Sequence, residues 1–284
     1  MTKPITRFAP SPTGYLHLGH AASARAAFGF AQEREGICLL RIEDIDTTRC
    51  KPEFTKAIYE DLSWLGFDWP RNVRIQSEHF DEYAKTLQIL RNQDLVYRCF
   101  KTRKDILADI ERAPHAPAPI YHGPKHPLTD DEVQHLMAIG KPYAWRLSLA
   151  KCRDFLGDQF ENLYFLNNGQ PVKARPEILG DVILARKDVG TSYHLACCHD
   201  DAHQGVTDIV RGIDLFESTH IHRLLQELLN WPVPNYYHHP LLVDKYGKRF
   251  AKRAKSKTLR AYRQQGLSKD DVLHMASMDD QAGA

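Results

Sequence analysis

Apolar and polar positions alternate in a regular order along the first 65 residues. Ile5 to Phe8 alternates and runs into a Pro/Ser/Gly turn, which predicts a short strand. From His20 to Arg34 apolar residues return at helical spacing (Ala24, Ala27, Phe28, Ala31), and Gly36 follows as a stop. Ile37 to Ile42 is apolar apart from Arg41, the pattern of a buried parallel strand. Pro52 to Leu65 reads as a helix, with Pro52 at its start and Phe54, Ile58, Leu62 and Leu65 on one face. Strand, helix, strand, helix is a βαβ unit. It predicts an α/β fold on a parallel sheet with right-handed crossovers.

Further along, Phe80–Asn92 is a helix by its pattern and Leu95–Arg98 a short strand. Residues 113–127 then carry five prolines and read as loop or extended chain. Thr129 with Glu132 three residues on is a capping box. Short strands are expected at Tyr143–Leu149 and Tyr164–Leu166, and Asp181–Ala185 reads as a return to the main sheet. Thr207–Val210 is a further strand, Leu215–Leu229 a helix, and Leu259–Gln265 a last helix. These shifts divide the chain into a split main domain (1–95 and 176–245), an inserted subdomain (96–175) and a C-terminal segment (246–284).

With 284 residues, about two domains are expected at roughly 150 residues each. Apolar residues make up 43% and charged residues 26%, which excludes global disorder and fibrous repeats. No apolar run approaches the roughly 18 residues of a membrane helix, and the N-terminus lacks a hydrophobic signal region, so a soluble cytoplasmic protein is expected. The net charge is only +2, but nine Lys or Arg between Asp244 and Arg263 face one acid. Such a run fits either an anionic ligand or a solvated basic face. The six cysteines show no zinc-finger spacing, and reduced thiols are expected.

The chemistry concentrates at Arg7-Phe-Ala-Pro-Ser-Pro-Thr-Gly-Tyr-Leu-His-Leu-Gly-His20. A strand ends, a turn follows, and two imidazoles stand at a helix start, where unpaired amides and the dipole suit a phosphate. A single histidine there would read as a helix cap. Two of them, His17 and His20, flanking Leu18-Gly19, favour stabilisation of charge developing on a phosphate, with Gly19 allowing close approach to the backbone.

The same segment resembles the first signature of the class I aminoacyl-tRNA synthetases in its glutamate-type version. Arg41-Ile-Glu-Asp-Ile-Asp46 with Thr47 and Arg49 is similar to a second family segment, and Tyr193–Asp201 followed by Gly205–Leu215 to a third. Asp244–Arg253 resembles the family's mobile lysine loop. The resemblance implies a Rossmann-like, doubly wound parallel sheet of a class I catalytic core with an inserted α+β subdomain. It also implies a site at the carboxyl ends of the strands. On it, Arg7, Ala9, Ser11, Glu43, Tyr193 and Arg211 bind glutamate. His17, Gly19, His20, Arg249 and Lys252 bind ATP, and His17, His20 and Lys252 are catalytic. Planar guanidinium groups suit carboxylates, and Glu43 suits the substrate ammonium. ATP is a substrate accompanied by Mg2+, and the acidic turn Glu43, Asp44, Asp46 is a weaker magnesium candidate.

The lysine loop departs from the family pattern, with Ala251 for its serine and Arg249 for its first lysine. At the family's zinc positions stand Cys99, Lys101, Tyr121 and Lys125, which cannot hold a tetrahedral zinc, so zinc is expected to be absent. About 30 residues follow the loop, too few for an α-helical anticodon-binding domain. In extent the chain resembles the short glutamyl-Q branch of the family. That branch activates glutamate without tRNA and transfers it to queuosine in the anticodon of tRNA(Asp). The partners expected are therefore L-glutamate, ATP and the anticodon stem-loop of queuosine-containing tRNA(Asp), with no membrane, and the protein itself a monomer. A discrete glutamate–tRNA ligase and a non-catalytic nucleotide- or RNA-binding paralogue are the alternatives.

Overall fold

Strand β1 (Ile5–Phe8) pairs in parallel with β2 (Ile37–Ile42), Ile5 opposite Ile37 and Phe8 opposite Leu40. β2 pairs in parallel with the two-residue β3 (Arg74–Ile75). On the other side of β1, the Thr207 N–H donates to the Ile5 carbonyl at 2.9 Å. The Ile5 N–H donates to Thr207 Oγ1 at 2.9 Å. These bonds bring β9 (Asp208–Gly212) beside β1. β9 pairs in parallel with β10 (Asn235–His239), and β10 with β6 (Tyr164–Asn167), which forms a hairpin with β7 (Gln170–Lys173). The order across is thus β3-β2-β1-β9-β10-β6-β7, and the winding reverses between β1 and β9. This is a doubly wound sheet with its switch point there. The computed structural model describes residues 3–102, 105, 120–124, 126–186, 189–242 and 257–277.

Helix α1 (Leu18–Glu33) lies on β1, β2 and β9. Its buried face is Ala21, Ala24, Ala27 and Ala31, small side chains that let the helix axis come close to the sheet. α2 (Pro52–Trp64) buries Ile58 and Leu62 completely in the same core. Gly36 closes the α1–β2 turn, where any Cβ would stand 2.2 Å from the Pro4 carbonyl oxygen. A second core gathers around α3 (Phe80–Asn92), β6 and β10. There α7 (Tyr193–His203) packs on α8 (Phe216–Leu228).

A separate antiparallel sheet joins β4 (Val96–Cys99), β5 (Ala144–Leu147) and β8 (Ile183–Arg186). It corrects one expectation: the segment near Asp181–Ala185 does not return to the main sheet but pairs with β5. Conversely β6, from the middle of the 96–175 span, extends the main sheet through Tyr236 opposite Asn167. The remaining helices are α4 (Asp130–Ala138), begun by the Thr129–Glu132 capping box, α5 (Leu149–Leu156), α6 (Asp158–Glu161), α9 (Leu259–Gln264) and α10 (Lys269–Met275). All six cysteines are free thiols. No helix among the described residues is long and apolar enough to cross a membrane.

Candidate active site

At the switch point the turn after β1 is tied to β2 by backbone bonds. The Glu43 N–H donates to the Pro10 carbonyl and the Lys51 N–H to the Pro12 carbonyl, both at 3.1 Å. A cleft of about 320 Å³ opens beside this turn, lined by Ser11, Thr13, Glu43, Gln76, Thr191 and Tyr193. The sequence candidates Ser11, Glu43 and Tyr193 thus meet at one cavity, drawn from the β1 turn, the end of β2 and the start of α7.

Below the cleft lies a buried ionic network. Arg7 donates from Nε to Asp201 Oδ1 at 3.0 Å, and Arg41 donates to the same oxygen at 2.8 Å and to Glu43 Oε1 at 3.1 Å. Arg41 is fully enclosed. Burial opposes ionisation of Asp201, but Arg7 and Arg41 together hold its carboxyl below the usual range. Burial pushes Glu43 the other way, up, against the pull of Arg41 and Arg7. The terminal nitrogens of Arg7 make no hydrogen bond among the described residues.

Arg211, at the end of β9, is buried as deeply as Arg7. Its guanidinium donates to Tyr193 Oη at 3.2 Å, His238 Nε2 at 3.2 Å, His222 Nδ1 at 3.4 Å and Thr219 Oγ1 at 2.6 Å. Every one of these partners is neutral, and among the described residues no carboxylate lies within ion-pair distance. Burial and the facing Arg211 charge drive His238 down to about 3 and His222 well below its ordinary value. A buried cation without an acid is costly on its own. It is the arrangement expected where a ligand supplies the anion.

His17 and His20 are brought together, with ring centroids 3.9 Å apart. His17 caps α1: its Nδ1 accepts from the Gly19 N–H at 3.2 Å, and the His17 N–H donates to His20 Nδ1 at 3.1 Å. The helix-cap reading of His17 is thus met, with His20 completing the capping box. The Leu259 N–H donates to the Leu16 carbonyl at 2.8 Å and Thr258 bridges His17, so the chain that follows the lysine loop is anchored against this helix start. Arg249, Ala251 and Lys252 of that loop lie outside the described residues.

The acidic turn does not converge on one point. Asp44 accepts from the Ser77 N–H and hydroxyl, Asp46 is paired with Thr48 and Arg49, and Glu43 with Arg41. At the expected zinc positions, Cys99 Sγ is 4.0 Å from Tyr121 Oη and Lys101 Nζ 5.9 Å from the Tyr121 ring centre, while Lys125 lies outside the described residues. One thiol and one phenol do not make a tetrahedral zinc site. Tyr97, donating to Asp181 at 2.9 Å, ties this sheet edge instead. Cys197 and Cys198 are buried on α7, and burial raises the Cys197 thiol to about 12, so they act as packing residues.

Sequence reading missed Arg41, Asp200, Asp201, Thr219, His222 and His238. One signal was present: a lone arginine inside the apolar run Ile37–Ile42 demands a buried partner.

A doubly wound parallel sheet with a polar cleft at its switch point places the chain among α/β enzymes that bind nucleotides there. The family described as tRNA synthetases class I (E and Q), catalytic domain, matches residues 3–278, and the chain belongs to that family. It is thus a ligase of the aminoacyl-tRNA synthetase class. The chain is 42% identical to a glutamyl-Q tRNA(Asp) synthetase of Rhodobacter capsulatus, over 96% of this chain and 100% of that protein. It is 37% identical to a glutamate–tRNA ligase of Aquifex aeolicus, covering 94% of this chain but 55% of that protein. A crystal structure of glutamate–tRNA synthetase from Elizabethkingia anophelis superposes with a TM-score of 0.79 at 27% identity, over 98% of this chain and 61% of that one. The chain thus spans somewhat more than half the length of the ligases it matches.

Proposed function

We propose that the protein activates L-glutamate with ATP and transfers it to the queuosine base at the first anticodon position of tRNA(Asp). The observation that carries the reading is Arg211, a buried guanidinium whose four partners are all neutral. It offers a carboxylate an unquenched cation with one N–H, on Nη2, still uncommitted among the described residues. Arg7, with Ala9 and Ser11 on the turn after β1, flanks the second carboxylate, and Glu43 faces the ammonium.

In this mechanism the glutamate α-carboxylate attacks the α-phosphorus of ATP, the bond to the β-phosphate breaks, and pyrophosphate leaves. No general base is required, because the carboxylate is already ionised. The protein supplies position and charge neutralisation. The α1 start with His17, Gly19 and His20 binds the phosphates, and Arg249 and Lys252 are assigned to the same phosphates from the sequence alone. Mg2+ arriving with ATP would add charge neutralisation. A queuosine hydroxyl then attacks the activated carbonyl and AMP leaves, its proton passing to solvent. The match to the full length of the Rhodobacter capsulatus protein supports queuosine as acceptor over an acceptor-stem end.

The test is transfer of labelled glutamate to tRNA(Asp) with and without queuosine. Label on the queuosine form alone is expected. Label on tRNA(Glu) instead would replace this reading with that of a discrete glutamate–tRNA ligase.

A further inference from the structure

Away from the residues assigned to glutamate and ATP, α3 and α7 bring a second group of chemistry-bearing side chains together. His199 and His203 stand four apart on α7, on one face of the helix, with their rings near parallel at 11° and centroids 6.1 Å apart. Glu82 of α3 faces them, and one ligand atom from each of the three residues lies within 4.8 Å of the others. Two imidazoles at this spacing plus a carboxylate from a second element are the donor set that a borderline metal ion prefers.

The hydrogen bonds around His199 fix which nitrogen points inward. The Thr86 hydroxyl donates to the Glu82 backbone carbonyl at 3.1 Å. Its oxygen is also 2.9 Å from His199 Nδ1, so Nδ1 faces the hydroxyl. Nε2 faces Glu82 Oε2 at 3.2 Å. A proton or a metal ion occupies the space between these two atoms. An imidazole oriented through its far nitrogen by a hydroxyl that is itself bonded onward is also how metal-binding histidines are held. Arg74 and His79 touch Glu82 as well, Arg74 at 2.5 Å and His79 at 2.8 Å. Arg74, however, is shared with the buried Asp200, one guanidinium between two carboxylates. His203 is exposed and sits in the last turn of α7, where the helix dipole favours a cation.

We propose that Glu82, His199 and His203 form a binding site for a divalent transition-metal ion that clamps α3 to α7. It is separate from the degenerate positions around Cys99, and it does not rest on the identity of the substrate.

The experiment uses the full chain stripped with a chelator, then titrated with Zn2+ against a chromophoric competitor. One Zn2+ per chain is expected. His203→Ala, at an exposed position, is expected to weaken binding by at least about 10- to 100-fold, the size seen for loss of even an outer-shell partner. His135→Ala, on α4, is expected to leave it unchanged. With Co2+ as a second probe, the spectrum should show nitrogen and oxygen donors and no thiolate charge transfer. Undiminished binding in His203→Ala would overturn the proposal. So would loss of the ion in Cys99→Ser with retention in His203→Ala. Absence of Zn2+ binding to the wild-type chain would mean that a proton is the cation between His199 and Glu82, and would overturn it equally.

Discussion

The Nε–H of Arg211 donates to Nε2 of His238 across 3.2 Å, and His238 is held as an acceptor because its Nδ1 faces Asn167 Oδ1 at 2.7 Å. The guanidinium is thus positioned by a lone pair rather than by a charge. His222 and Thr219 do the same from α8, where Thr219 also reaches His238 Nε2 at 3.3 Å. Holding a cation with neutral acceptors keeps its full charge for a ligand. A carboxylate in the same place would quench it.

That difference is testable with a near-isosteric pair. His238→Gln retains an acceptor and is expected to change the glutamate KM only a few-fold. His238→Glu places a carboxylate on Arg211 and is expected to raise KM about 100-fold, the size of a charge-assisted hydrogen bond of roughly 3 kcal/mol. Steady-state kinetics over glutamate concentration check it. Equal behaviour of the two variants would contradict the neutral cradle.

His238 and His194, whose Nδ1 lies 3.3 Å from His222 Nε2, set a pH dependence of stability. Burial drives His238 to about 3 and His194 to about 4, well below the unfolded value near 6.5. The unfolded chain therefore binds more protons between those limits. The stability these groups contribute is present above about pH 6.5 and is lost as pH falls toward 4 and then 3. Urea midpoints should drop between pH 7 and pH 5, before most carboxylates protonate. A flat midpoint across that range would contradict the prediction.

Asp201 is the shared anion of Arg7 and Arg41. Asp201→Asn keeps the shape and removes the charge, leaving two buried guanidinium groups short of a partner. A loss of about 3–5 kcal/mol is expected, the usual result of breaking a buried pair from one side. Urea unfolding measures it. A loss under about 1 kcal/mol would show that Glu43 and Asp200 take over.

His17 caps α1, and on the proposed mechanism it also stabilises transition-state charge; one substitution separates the two. Asparagine is a good N-cap, so His17→Asn should retain stability, whereas His17→Ala should lose about 1 kcal/mol. Both lose the imidazole, and both are expected to lower kcat by about 100-fold or more, as for other groups that stabilise transition-state charge. Full activity in His17→Asn would reduce this histidine to a cap.

Much of the α1 half of the molecule was legible in the sequence, for local reasons. Ile5–Phe8 and Ile37–Ile42 are strands by their own apolar pattern, and α2 starts at Pro52 as its sequence indicates. Of the residues singled out in the sequence, Ser11, Glu43 and Tyr193 line one cleft. What escaped was non-local. Arg7 and Asp201 are 194 residues apart, and no periodicity relates them. β10 is Asn-Tyr-Tyr-His-His, too polar to read as a central strand until His238 is seen holding Arg211. β3 has two residues, below any pattern. β8 is apolar enough for either sheet, and only its pairing with β5 decides.

The most direct measurement of the central claim is ATP–pyrophosphate exchange with purified protein and no tRNA, comparing glutamate with glutamine. Exchange that depends on glutamate, ignores glutamine and is lost in Arg211→Gln is the predicted result. Exchange that appears only on addition of tRNA(Glu), or that is supported equally by glutamine, would contradict the account.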